Sequence, residues 1–435
     1  MSSTSALQEE ISAYFDRLWP LLRSITGDGV RKTHDVLSEI IPLERIEIPT
    51  GTEVFDWEVP KEWVVRDAYL IDPNGKRILD VWENNLHLVN YSVPYNGELT
   101  RPELDEHLYS IPDLREAIPY VSSYYTPRWG FCLSQQQRDS LPDGRYQVVV
   151  DTEHVDGSMT LGELVLPGQE QTEVLISTYT CHPSMANNEL SGPLVAAFLY
   201  RKLAELEHRR LTYRFVFLPE TIGSLAYLAI RGDHLKEQMM AGYVVTCVGD
   251  DGPFTYKRSR LGTSLGDRAA EHVLDGDGGS VHVESSVLDF FPNAGSDERQ
   301  YCSPGFNLPV GSLMRTMYAK YPEYHTSLDN REFISFPAMC ESVEIYFKIL
   351  ISLEMNRKYQ NLYPYGEPQL GKRNLYSTLG VKNVDQERSA ILWLLNLSDG
   401  LHDLLSISSQ SGIEISIIYA AAQRCVEAKL LEPIQ

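Results

Sequence analysis

Apolar residues recur at helical spacing at the start of the chain, at Leu7, Ile11, Tyr14, Leu18 and Leu22. A capping box of Ser5 and Gln8 precedes them, and Pro20 ends or kinks the helix they predict. A second stripe, Val36, Leu37, Ile40 and Ile41, predicts a helix over 31–41. From 46 to 165 the texture changes to short runs rich in Val, Ile, Tyr and Trp, such as 63–71 and 145–151. Turn chemistry at Asp72-Pro73-Asn74-Gly75 and Asp143-Gly144 separates these runs and predicts a mostly β module. Trp57, Trp63, Tyr69 and Trp82 are expected in its core, with Tyr124, Tyr125 and Trp129 as candidates to line a cleft.

From Glu173 onward strand and helix alternate. Segments 174–178, 213–218, 243–248 and 308–313 read as buried strands, and 193–207 and 337–353 as the clearest helices. The alternation predicts an α/β domain with a largely parallel sheet and a ligand crevice at the carboxyl ends of its strands. After a Tyr/Pro/Gly-rich connector at 363–371, the segments 391–397, 402–408 and 417–431 read as a three-helix unit of winged-helix type.

Composition narrows the function. The chain has 435 residues, of which 60 are acidic and 38 basic, a net charge of −22, with 43% apolar content. This is a folded protein of two or three domains whose surface repels phosphate backbones, so no nucleic-acid partner is expected. The winged-helix-like tail does not change that expectation, because 361–435 carries six basic against eight acidic side chains. A packing or dimerisation role fits it better, and a homo-oligomer is possible. The six cysteines form no C-x-x-C pair, and neither an apolar leader nor a run of 18 apolar residues is present. A cytoplasmic setting without membrane contact is the expectation.

Four polar segments directly follow predicted strands or loops of the α/β domain: 180–192, 218–224, 249–252 and 324–329. The topology gathers them at one sheet edge. Two histidines, His182 and His325, arriving there with several carboxylates make the donor set of a metal site, most often zinc. Each residue alone has an ordinary use: His182 in packing, Glu220 at a helix N-terminus, Asn188 and Ser191 as caps.

The strings Asn188-Glu189-Leu190-Ser191-Gly192, Pro219-Glu220 leading to Gly223-Ser224, Gly295-Ser296-Asp297 and Tyr324-His325-Thr326-Ser327-Leu328-Asp329 resemble the zinc aminopeptidase family that also contains the glutaminyl cyclases. More closely, and over nearly the whole chain, the sequence is similar to a bacterial branch of aminopeptidase-like domain proteins. The resemblance implies a zinc-aminopeptidase-like (phosphorylase/hydrolase-like) α/β sandwich formed by 1–45 and 166–358. It further implies an inserted β domain at 46–165, a winged-helix-like domain at 359–435, and service in polysaccharide or secondary-metabolite biosynthesis. His182 matches the family's first metal-binding histidine and His325 its last. Glu220 falls on the first member of a Glu-Glu pair, with Thr221 in place of the second. Asn188 stands where an acid bridges two metals, and the late-strand aspartate falls at Thr246 or Cys247, near Asp250. Asp297 matches a hydrogen-bonding aspartate.

An Asn supplies one carbonyl oxygen but no charge to offset two cations, so a single zinc is expected rather than a pair. His182, Asn188 and His325 would hold it, with the acid drawn from Glu220, the first choice, Glu189 or Asp250; Cys247 is a further candidate. Glu220 or Asp297 would then act as base. Lys257, Arg258, Arg260, Arg268, Arg299 and Arg315 either bind an anionic substrate, Arg258, Arg260 and Arg315 foremost, or balance Asp250, Asp251, Asp267 and Glu298. The reading is a zinc-dependent amide hydrolase or acyl transferase acting on a small peptide or amino-acyl conjugate. The alternative is a decayed relative that only binds a ligand or partner.

Overall fold

The computed structural model describes residues 3–277, 283–293, 295–373, 375 and 382–434. Helix α1 (Ser3–Leu18) buries Ile11, Phe15 and Leu18 and stops before Pro20, which cannot continue it. It begins two residues before Ser5, so Ser5 lies within the helix and not at its cap. Helix α2 (Asp28–Leu37) sits earlier than its apolar stripe suggests, with the Asp28 carboxylate in the first turn, where the helix dipole favours it.

Eight strands form the central sheet: β1 (Glu44–Pro49), β2 (Ser158–Leu166), β3 (Glu173–Tyr179), β4 (Thr212–Leu218), β5 (Met239–Val245), β6 (Phe254–Lys257), β7 (Ser285–Leu288) and β8 (Val310–Met314). Their order is β1-β2-β4-β3-β5-β8-β6-β7. Neighbours from β4 through β3 and β5 to β8 run parallel, while β1, β2 and β6 pair antiparallel with their neighbours towards the centre. Every residue of β3 and β4 is buried, as expected for central strands covered on both faces. The two faces feed two cores. Val174 and Ile176 of β3 pack with α1 and with α3 (Ser191–Ala204), α5 (Leu265–Leu274) and α6 (Phe336–Met355). Leu175, one residue out of phase, packs with α4 (Ile222–Gln238) and the inserted module.

The chain leaves β3 through α3 to reach β4 on one side, and leaves β4 through α4 to reach β5 on the other. The carboxyl end of β3 is therefore the switch point at which α/β sheets open a crevice.

The inserted module is an antiparallel sheet in the order Arg77–Ile78, Glu62–Ile71, Arg145–Val155, Tyr95–Thr100. Its edges lie inside the expected 46–165, because β1 and β2 pair with each other from Glu44↔Glu163 to Pro49↔Ser158 as part of the central sheet. Trp63 is buried there, with its indole N–H on the Ser92 carbonyl, whereas Trp57 and Trp82 lie at the surface. Trp129 stacks on Tyr95 and His107 in the module's interior and forms no cleft wall.

The C-terminal unit has helices Lys382–Leu397, Leu404–Ser411 and Ile415–Glu427, plus a sheet in the order Asp399–Asp403, Lys358–Asn361, Leu431–Ile434. His402 lies in a strand and not in the helix expected over 402–408. Ile418, Ala421 and Cys425 of the last helix share a core with Leu350 and Leu353 of α6, so the unit is packed onto the sheet domain. Asp403 fastens it. The carboxylate caps Leu404–Ser411 through the Ser406 N–H at 2.9 Å, accepts both Arg268 Nη groups at 2.7 and 2.9 Å, and accepts Asn356 Nδ2 at 3.1 Å. Burial alone would raise this carboxyl, but the Arg268 and Ser406 bonds outweigh it and hold it well below the usual range. No helix among the described residues is long and apolar enough to cross a membrane.

Asp403→Ala removes a helix cap and the ion pair of Arg268, so it should cost about 1–3 kcal/mol in urea unfolding. Because the folded carboxyl is depressed, this stabilisation is present above the unfolded value, about 3.9, and is lost as pH falls below it. The gap between wild type and variant should therefore close in acid.

Candidate active site

Beyond Tyr179 the chain continues through Thr180, Cys181 and His182 into a π-helical turn, Ala186–Leu190, closed by the Leu190 N–H on the Met185 carbonyl. Such turns are rare in helices and recur at functional sites. The turn feeds α3 through Gly192, where a Cβ would stand 2.4 Å from the Val245 carbonyl, so only glycine allows the helix to start this close to the sheet. The whole turn is buried, and its free N–H groups need acceptors. Asp329 supplies them: Oδ1 accepts the Asn187 N–H at 2.6 Å and Oδ2 the Asn188 N–H at 2.9 Å. Burial pushes the Asp329 carboxyl up to about 7 even against these bonds. Asp329 lies four residues beyond His325, so one carboxylate joins the loop of the second histidine to the turn that follows the first.

His182 Nδ1 is 2.8 Å from Glu189 Oε2, and its Nε2 is 3.7 Å from Glu220 Oε2. Its carbonyl accepts Nε of the fully buried Arg23 at 2.8 Å. Burial alone would lower the imidazole, but the adjoining Cys181 sulfur and Glu189 carboxylate outweigh it and draw His182 upward. Burial pushes Cys181 up to about 11, and its sulfur accepts the Glu220 N–H at 3.3 Å.

Glu220 leaves β4 just before Thr221, which holds a left-handed φ of 64°. Asp297 Oδ1 fixes that turn by accepting the Thr221 N–H at 2.7 Å and the Ser224 hydroxyl at 2.9 Å. The Ser296 hydroxyl donates to Glu220 Oε1 at 2.5 Å. Ser296 is itself set by its N–H on Glu298, whose carboxylate pairs in the interior with Lys257 Nζ at 2.8 Å. Asp297 is wholly buried, and burial together with the Glu220 charge pushes it up to about 8. The Glu220 side chain keeps 27% exposure while those of Glu189 and Glu298 keep none, so Glu220 is the carboxylate that opens to solvent.

His325 has φ of 55° and stacks on Tyr324 at 4.0 Å between centroids; its ring lies 5.3 Å from that of His182. Burial and the neighbouring His182 lower its pKa to about 3, and a neutral imidazole is the ligating form. His325 Nε2, Asn188 Oδ1, Glu189 Oε1 and Asp297 Oδ2 are all buried without a hydrogen-bond partner. Asn188 donates its Nδ2 to the Tyr179 hydroxyl at 2.8 Å, which leaves the amide oxygen as its free end. Buried polar atoms are rarely left unmet, and a cluster of them marks a place suited to an ion or ligand.

The structure thus brings His182, Asn188, Glu189, Glu220, Asp297 and His325 together. Asp250 is used otherwise: it accepts Asn187 Nδ2, the Thr316 hydroxyl and the Gly252 N–H, each at 2.7 Å. Cys247 faces Asn188 Nδ2 and the Tyr321 hydroxyl at 3.9 and 3.6 Å, and burial pushes it up to about 12. Arg258 pairs with Glu271 and Asp289, Arg260 bonds Asn307, and Arg315 holds Glu341 and the Gly252 and Ala338 carbonyls. None of these guanidinium bonds reaches His182, Glu220 or His325; Arg258 and Arg315 balance charge, with acids other than those expected. Asp329, Arg23, Ser296 and Tyr120 were not singled out by sequence reasoning. Asp329 and Ser296 stood inside the quoted motifs, whereas nothing local marks Arg23 or Tyr120. Among the described residues, three metal-ligating donors lie within 4.8 Å of one another only at Cys181, His182 and Glu189, and there they already bond to one another.

The family model described as "Domain of unknown function (DUF4910)" matches residues 12–356, and one described as "winged helix-turn-helix" matches 357–433. The chain is 44% identical to a Clostridium acetobutylicum protein provisionally named a polysaccharide biosynthesis protein with aminopeptidase-like domain, over 99% of this chain and 98% of that one. A crystal structure from C. acetobutylicum, provisionally named a peptidase, matches at a TM-score of 0.91 and 43% identity, covering 99% of this chain and 97% of that one. The zinc aminopeptidase BSAP of Bacillus subtilis shares the fold at a TM-score of 0.57 and 12% identity, over 80% of this chain and 94% of its own.

Asp297→Asn keeps an oxygen on Thr221 and Ser224 and should stay within about 1 kcal/mol of wild type in denaturant unfolding. Asp297→Ala orphans both donors and should lose about 2–4 kcal/mol. Equal losses would mean that the charge, and not the Oδ1 bonds, is what the fold uses.

Proposed function

The chain belongs to the DUF4910 family, and from that premise we propose that it is a zinc-dependent amide hydrolase of aminopeptidase type acting on a small peptide or amino-acyl conjugate. The observation that carries the reading is the convergence of unpartnered His325 Nε2 and Asn188 Oδ1 with His182 Nε2 beside Glu220, the carboxylate open to solvent. These donor types suit one zinc. His182 is oriented through Nδ1 by Glu189, the arrangement that leaves Nε2 for a metal. With its ring proton lost to the incoming ion, His182 joins His325 and Asn188 as a third neutral donor, and an open fourth position matches a catalytic zinc. With Asn188 and Thr221 at the acid positions of the family the chain resembles, the proposal takes one ion rather than two. When bound, zinc polarises the scissile carbonyl and lowers the pKa of its water.

Glu220 takes the proton from the attacking water and returns it to the leaving amine, while the Ser296 hydroxyl on Oε1 keeps Oε2 turned towards His182. Asp297 acts through Thr221 and Ser224, setting the turn that carries Glu220. Arg258, Arg260 and Arg315 are engaged elsewhere, so the proposal asks for no anionic group on the substrate. A place in polysaccharide or secondary-metabolite assembly draws support from the name of the C. acetobutylicum relative. The winged-helix unit serves as a packing element, since Ile415–Glu427 lies on α6. The alternative, a ligand-binding descendant without catalysis, is favoured by one observation: both ring nitrogens of His182 already face a carboxylate, Glu189 at Nδ1 and Glu220 at Nε2.

Metal content by mass spectrometry on chelator-free protein should give about one zinc per chain, lost in His182→Ala and His325→Ala. Glu220→Gln should keep the zinc and lose about 10²–10⁴-fold in kcat on an amide substrate found by screening. Protein that takes up no zinc would leave only the ligand-binding reading.

A further inference from the structure

The inserted module reaches the site through a strap. Residues 118–120 run alongside 325–327, with Pro119 paired antiparallel to Thr326. Ser327 N–H donates to the Ile118 carbonyl at 2.8 Å, and Ile118 N–H donates to the Ser327 hydroxyl at 3.0 Å. Tyr120 N–H donates to the His325 carbonyl at 2.8 Å. That last bond falls on a residue in the left-handed region, where a bulky L side chain persists only if its surroundings hold it.

The Tyr120 side chain adds to the backbone contact. Its ring centroid is 5.1 Å from that of His182 and 5.3 Å from that of His325, edge-on to the latter at 81°. Its hydroxyl bonds the Tyr124 hydroxyl, and Tyr124 packs edge-on against Tyr91 in the module, so the ring is anchored at its far end. The module also braces the other histidine. Asn90 donates Nδ2 to the Arg23 carbonyl at 2.8 Å and accepts the Ser24 hydroxyl at 2.6 Å, and Arg23 in turn holds the His182 carbonyl.

We infer that the inserted β module is a structural part of the site, with Tyr120 as a positioning residue that sets the spacing and orientation of the His182 and His325 imidazoles. The metal consequence rests on reading those histidines as ligands; the positioning itself does not. A cover that merely limits access would need neither the strap nor a ring placed against both imidazoles.

The test compares wild type, Tyr120→Ala and Tyr120→Phe in two measurements. One is zinc affinity by competition with a chromophoric chelator; the other is amide hydrogen exchange over 323–328 in metal-free protein. Tyr120→Ala should bind zinc about 10–100-fold more weakly, the usual effect of losing a group that orients a ligand, and should exchange faster over 323–328. Tyr120→Phe keeps the ring and should recover most of both. Should Tyr120→Ala fail to fold, Tyr120→Leu replaces it, since leucine fills much of the space without an aromatic edge. Wild-type affinity and exchange in the Ala or Leu variant would overturn the inference. If wild type takes up no zinc, the proposed function falls, and the exchange comparison alone decides positioning: faster in Ala and restored in Phe supports it, unchanged overturns it.

Discussion

The Asp329 carboxylate, buried under the end of the sheet, is the contact on which the arrangement of the site depends. It closes the amino end of the Ala186–Leu190 turn, which would otherwise bury N–H groups without acceptors, and it does so from the loop that carries His325. The two histidines come from segments 143 positions apart, 182 and 325, and acquire a fixed relation because a single side chain satisfies one segment's backbone from the other. Its raised pKa shows what the arrangement demands: a carboxyl kept in a place where burial works against its charge.

Around that joint, further contacts set each functional side chain. Glu189 turns His182, Ser296 turns Glu220, Asp297 holds the turn beneath Glu220, and the strap at Tyr120 holds His325. The carboxylates fall into two kinds. Glu189, Asp297, Glu298 and Asp329 are enclosed and serve the frame, while Glu220 reaches the opening. This division separates positioning from proton transfer, and it accounts for the absence of any guanidinium bond from Arg258, Arg260 or Arg315 to the histidines and Glu220. Polar groups of neighbouring helices and loops satisfy these arginines instead.

Much of the architecture was legible in the sequence where one physical cause dominated. The largely apolar runs of β3 and β4 read as central strands because both faces are covered, and the polar segments after them marked the crevice by topology alone. Strands Asp399–Asp403 and Leu431–Ile434 were missed because the first has only Leu401 as an apolar residue and the second contains a proline. Their pairing comes from tertiary context. At the site, His182, Glu220, Asp297 and His325 could be named from their motifs, but Arg23 and Tyr120 could not. Arg23 works through a carbonyl 159 positions away, and Tyr120 through a strap between two domains, neither of which leaves a local pattern.

The most direct test of a single metal on neutral donors is X-ray diffraction at the zinc absorption edge from crystals of the zinc-loaded protein. The account predicts one anomalous peak per chain, bonded to His182 Nε2 and His325 Nε2 and within reach of Asn188 Oδ1, with Glu189 still on Nδ1 of His182. Two peaks, or one peak bound by Cys181 and Glu189, would contradict it.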